Sequence, residues 1–307
     1  MEERILNARQ QRQMLFSLMG DLPDPAVAID ATMVCDDVED GLRVQRWRLE
    51  FNGVETVPLL LVLPPGEGPF PVVLYNHAHG GHYSHGKEEL LSGRPAILEP
   101  PYGEVLSSRG MAVVGIDTFV FGERDHDSEA ATFKRMLWNG QVMWGMMVYD
   151  NLRAIDFIDD HPLLDQQRIA TMGLSMGSTM AWWTAALDER VKVCIDLCCL
   201  SDFHTLQETG GLNGHGVYYY VPNLLKEGWT TASINALIAP RARLALAGDL
   251  DPLTPPAGLE RIDEHLRKVY SDLGKPQNWR MVRYPDIGHI ETAEMREEVL
   301  AFLAEHL

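Results

Sequence analysis

The chain has 307 residues, 46% of them hydrophobic and 23% charged, proportions that suit a globular protein with room for one large α/β domain. Its formal net charge of −18 argues against a nucleic-acid partner, which needs a basic face to displace counterions. No apolar run is long enough to span a bilayer, and residues 1–23 lack the apolar core of a signal peptide, so a cytoplasmic setting without a membrane partner is expected. Three of the four cysteines, Cys194, Cys198 and Cys199, fall in one apolar run, as expected of buried thiols in a reduced compartment.

Residues 2–19 place Ile5, Leu6, Met14, Leu15 and Leu18 at helical spacing, and "GDLPDP" breaks the pattern. This predicts an N-terminal helical arm over residues 1–25, ahead of a single α/β domain over 26–307. Strands are expected at 42–51 and 56–63. Short apolar runs then alternate with helical stretches. Strands fall at 71–76, 111–117, 168–174, 191–199, 243–249 and 279–284, with helices at about 99–109, 140–160, 177–187, 257–270 and 291–306. That alternation predicts a mostly parallel sheet with helices on both faces, and ligand-binding loops at the strands' carboxyl ends. Residues 200–238 are too long for a simple connection and read as a cap inserted over that edge.

The motif "GLSMG" (173–177) lies between a strand and a helix, the context of a nucleophile elbow with Ser175 at its tip. A serine hydroxyl needs a base, and the base an orienting carboxylate. "AGDLDPLTP" offers Asp251 after one strand, and "YPDIGHI" offers His289 after the last. Asp249, Asp196 and Asp202 are the competing acids. An oxyanion hole needs two aimed N–H groups, one from the residue after the nucleophile, Met176. The second is expected from the loop "NHAHGG", at His79 or Gly80, with His79 acting through its backbone and not its ring.

That loop packs His77, His79, His82 and His85 into nine positions, so a metal site is the competing reading, with Ser175 incidental. Alternate residues on one strand followed by two glycines would have to fold back tightly to share an ion. The loop is therefore read as an oxyanion hole, with no metal and no cofactor expected. In the cap, His215, Tyr218 and Tyr219 are candidates to line the acyl pocket. Glu123 and Arg124 of "FGER" are expected to pair, with Arg124 also a candidate to hold a substrate carboxylate.

From about residue 40 onward the chain resembles the α/β-hydrolase superfamily. Within it, "HAHGG", "GIDTFVFGERD", "GLSMGS", "LIAPRARLALAGDLDPLTP" and "DIGH" look most like dienelactone-hydrolase-like and acetyl-xylan-esterase-like serine esterases. Ala78 and Ser178 stand where that branch usually has glycine. Dienelactone hydrolases proper use cysteine, so Ser175 turns the expectation toward ordinary esters. The resemblance implies a cofactor-free carboxylesterase acting on a small-molecule ester. Amide hydrolysis like that of prolyl oligopeptidases, or lactone hydrolysis on the same triad, is the alternative. Assembly into a homo-oligomer is left open.

Overall fold

A computed structural model describes residues 7–307. Its strands are β1 (Asp30–Glu39), β2 (Leu42–Glu50), β3 (Val57–Leu63), β4 (Phe70–Asn76), β5 (Ala112–Ile116), β6 (Leu164–Leu174), β7 (Val191–Leu197), β8 (Ala242–Gly248) and β9 (Trp279–Tyr284). Its α-helices are α1 (Ala8–Ser17), α2 (Glu89–Ser92), α3 (Tyr102–Ser107), α4 (Glu129–Trp138), α5 (Met143–Asp160), α6 (Met176–Leu187), α7 (Phe203–Thr209), α8 (Thr231–Ala236), α9 (Pro256–Asp272) and α10 (Ala293–His306).

The strands form one sheet in the order β1-β2-β3-β5-β4-β6-β7-β8-β9. Pairing is antiparallel from β1 through β3 to β5 and parallel from β5 to β9. Both faces are covered, which is why the central strands read as unbroken apolar runs. Val72 and Leu74 of β4 point to one face with Trp144, Trp182 and Tyr270, whereas Val73 and Tyr75 point to the other with Leu106 and Phe302. Helices α1, α4, α5, α6, α8 and α9 bury side chains on the first face, and α2, α3 and α10 on the second. Successive parallel strands therefore deliver their following loops to one edge.

Three elements differ from the sequence reading. β1 carries Met33, Val34 and Val38 exposed beside acidic residues, and it shows no alternation to betray it. Backbone pairing with β2 holds it, helped by Arg43 reaching Asp36 and Arg46 reaching Glu39 across the strands. Helix α4 follows "FGER" and is started by Ser128, whose hydroxyl accepts the Ala131 N–H. The helix expected at 99–109 is shortened to α3, because Pro100 and Pro101 cannot lie inside it.

The N-terminal helix is docked on the domain. Leu15 is buried, and Arg12 donates to the carbonyls of Ala186 and Leu237, both at 2.8 Å. Ile5 and Leu6, expected on its apolar stripe, lie outside the described residues. In the 200–238 segment, Leu224, Trp229 and Ile234 join the core, while residues 213–216 and Tyr218 and Tyr219 line a cavity shared with Ser175 and His289. Among the described residues, no helix is long and apolar enough to cross a membrane.

Candidate active site

The turn between β6 and α6 holds Ser175 at φ 60° and ψ −121°, a conformation L-residues seldom occupy. Glycine is required on both sides for a specific reason. A Cβ on Gly177 would sit 1.9 Å from the Asn76 carbonyl oxygen, and one on Gly173 would sit 2.4 Å from the same atom. The end of β4 thus presses against the elbow, and only hydrogen fits. The Ser175 N–H donates to the Leu197 carbonyl at 2.9 Å, tying the turn to β7. Every residue of α6 is buried, so its N-terminus is rigidly held with first-turn N–H groups that have no intrahelical acceptor.

Asp251 follows β8 and His289 follows β9. The Asp251 carboxylate is buried, accepts the Leu253 N–H through Oδ1 at 2.9 Å, and lies 2.6 Å from His289 Nδ1 through Oδ2. A carboxylate only accepts, so Nδ1 carries the proton and Nε2 is left as a basic nitrogen. His289 and Ser175 line the same cavity, of about 420 Å³. The competing acids are engaged elsewhere. Asp249 pairs with Arg283 at 2.7 Å, Asp196 with the buried Arg243, and Asp202 caps α7 and meets Arg261.

The histidine loop sends its four rings to four different places. His77 is buried: its Nδ1–H donates to the Ala78 carbonyl at 3.1 Å, and Nε2 accepts from the Thr118 N–H at 3.3 Å. His79 Nε2 lies 2.7 Å from Glu129, His85 Nε2 donates to the Gly93 carbonyl, and His82 is exposed. Among the described residues, no group of three or more His, Cys, Asp or Glu is arranged to hold a metal ion. Gly80 and Gly81 adopt φ of 50° and 71°, turning the backbone along the cavity wall. Among the described residues, the N–H groups of His79 and Gly80 donate to no backbone acceptor.

His79, Gly80, Met176, His215, Tyr218 and Tyr219 all line the cavity. His215 Nε2 lies 3.2 Å from the Leu253 carbonyl and its ring stacks on Tyr219, and burial holds its pKa below the usual value. The Tyr218 hydroxyl has no protein hydrogen-bond partner among the described residues. Cys199 is also in the wall, but burial pushes its thiol up to about 12, so it stays protonated and offers no rival nucleophile.

Arg124, expected to pair with Glu123 and to reach a substrate carboxylate, does neither. It is not in the cavity; it is buried, pairs with Glu55 and Asp150 at 2.8 Å each, and lies over the Phe119 ring. Nor does it pair with Glu123, which is half exposed and meets Lys87 instead. Sequence reasoning missed Glu129, Thr179 and Leu253 in and around the site. Glu129 meets its partner 50 positions away, with no local motif to mark it.

The sequence pattern of the acetyl xylan esterase (AXE1) family matches residues 39–227. The chain belongs to that family. It is therefore an α/β-hydrolase that acts on carboxylic ester bonds. It is 44% identical over 299 residues, covering 97% of this chain and 99% of the relative, to "Putative hydrolase YtaP" of Bacillus subtilis (strain 168). Among solved structures it is similar to a glucuronoyl esterase from Solibacter usitatus, at 15% identity and a TM-score of 0.73, over 96% of this chain and 92% of that one. It is also similar to an acetyl xylan esterase from Paenibacillus sp. R4, at 19% identity and a TM-score of 0.64, over 97% and 93% of the two chains. These structural likenesses establish the fold.

Proposed function

We propose that this esterase cleaves short-acyl esters through an acyl-enzyme on Ser175, with His289 as base and Asp251 as its orienting acid. The observation that carries the reading is one cavity holding both a strained serine elbow and a histidine fixed at Nδ1 by a buried carboxylate. Ser175 Oγ attacks the ester carbonyl while His289 Nε2 takes its proton. The carbonyl electron pair moves onto oxygen, where the N–H groups of Met176 and of His79 or Gly80 receive it. Collapse expels the alcohol with the proton from His289. Water, activated by the same ring, then releases the acid and restores the serine.

The cap supports the small-acyl part of the reading. Tyr218, Tyr219 and His215 wall the cavity with rings whose tips are polar, and offer no long aliphatic channel. An unpartnered Tyr218 hydroxyl suits an alcohol that carries further hydroxyls, as the family's name suggests for a carbohydrate ester. A series of p-nitrophenyl esters tests it. Acetyl and butyryl esters are expected to give much higher kcat/KM than decanoyl, since a cavity closed by these rings has no room for the longer chain, which must displace the cap to bind. A maximum at eight carbons or beyond would show that the cap does not close the acyl side.

A further inference from the structure

We propose that the His79 side chain, held by Glu129 of α4, is a positioning residue that sets the oxyanion loop for catalysis. The inference rests on the oxyanion role given to that loop above. At its inner end the loop is pinned by buried charge: the Ala78 N–H donates to Glu89 at 3.1 Å, and Arg94 donates to the Ala78 carbonyl at 3.1 Å. Beyond His79 come two glycines at positive φ, both exposed, which is a backbone with little intrinsic preference for one geometry.

The His79 ring supplies the missing restraint. Its Nδ1 accepts the Gly81 N–H at 3.0 Å, so the ring folds back over its own loop. Because Nδ1 accepts, Nε2 must carry the proton, and it donates to Glu129 at 2.7 Å. Glu129 stands in the first turn of α4, with its side chain 12% exposed. The ring is also boxed by Phe121 and Tyr83, at 5.2 Å each, and stacks on Tyr218 of the cap at 5.3 Å and 12°. One imidazole therefore links the loop that receives the oxyanion to a helix and to the cap wall. If the link breaks, the glycines relax, and the N–H groups move off the position where negative charge develops.

The test compares His79→Ala, His79→Asn, His79→Gln and Glu129→Ala, with Ser175→Ala as reference. Two readouts are used: kcat and KM for p-nitrophenyl acetate, and inhibition by a trifluoromethyl ketone. In the ketone adduct, Ser175 Oγ bonds to the carbonyl carbon, the π pair becomes an oxyanion and the serine proton passes to His289. Losing one oxyanion donor costs about 10²–10³ in kcat, and a shift of about 1 Å costs about 10². His79→Ala is expected to lower kcat about 100-fold with KM within about two-fold of wild type, and to weaken the ketone by a similar factor. Asparagine keeps an acceptor where Nδ1 stood, so His79→Asn is expected to recover more of kcat than His79→Gln. Glu129→Ala is expected to lower kcat about ten-fold, and it serves as the decisive variant if His79→Ala does not fold.

Wild-type kcat and ketone affinity in His79→Ala or Glu129→Ala overturn the proposal, as does recovery by glutamine but not by asparagine. If Ser175→Ala is inactive while those variants are unaffected, only the positioning role fails. If Ser175→Ala keeps its turnover, the hydrolytic reading fails and this proposal falls with it.

Discussion

Acid should destabilise this protein through His77, and the size of the effect follows from its surroundings. Burial lowers its pKa from the ordinary 6.5 to about 4; the Glu89 carboxylate opposes that shift, and Arg94 and His79 reinforce it. The geometry agrees, because Nε2 already accepts the Thr118 N–H and has no room for a proton of its own. The folded pKa lies below the unfolded one, so the contribution is fully present above pH 6.5 and is lost as pH falls through about 4. At about 1.4 kcal/mol per pH unit, the full loss is on the order of 3 kcal/mol. His77→Gln keeps an acceptor near Nε2 without titrating. Urea unfolding of both proteins at pH 7, 6, 5 and 4 should show the wild type losing stability more steeply, by about that amount in total. Parallel profiles would refute the reasoning, since shared terms such as His161 and His215, also lowered by burial, cancel in the comparison.

Asp251→Asn should keep the fold but lower kcat by about 10⁴, since an amide no longer fixes the His289 tautomer; steady-state kinetics with a melting curve separates the two effects. Asp196→Asn should instead cost stability of about 3–5 kcal/mol, because it breaks the buried pair with Arg243 while leaving His289 untouched. Arg124→Met should likewise lower the melting temperature by stranding the buried Asp150, with no selective rise in KM for esters that carry a carboxylate.

The three side chains of the candidate site are each announced locally in the sequence. Ser175 stands between glycines that the neighbouring strand demands, and Asp251 and His289 each follow an apolar strand core in the chain order of this sheet. The continuous apolar runs were readable for a related reason, as strands buried on both faces need no polar positions. β1 was not, because an exposed edge strand is held by backbone pairing that leaves no hydrophobic period. Arg124 went astray because "FGER" sets it beside Glu123 in sequence, while the fold turns it inward to Glu55 and Asp150, 69 and 26 positions away. The His79–Glu129 contact was equally hidden: it depends on α4, whose place over the loop is set by tertiary packing.

Catalysis through a covalent ester on Ser175 is open to direct observation. Wild-type protein mixed with p-nitrophenyl acetate and quenched in acid within the first turnovers should carry one acetyl group, found by mass spectrometry on the peptide containing Ser175. A burst of p-nitrophenol of matching size should accompany it, and Ser175→Ala should show neither. Steady turnover in Ser175→Ala, or an acetyl group on His289 or Cys199 in place of Ser175, would rule out Ser175 as the nucleophile.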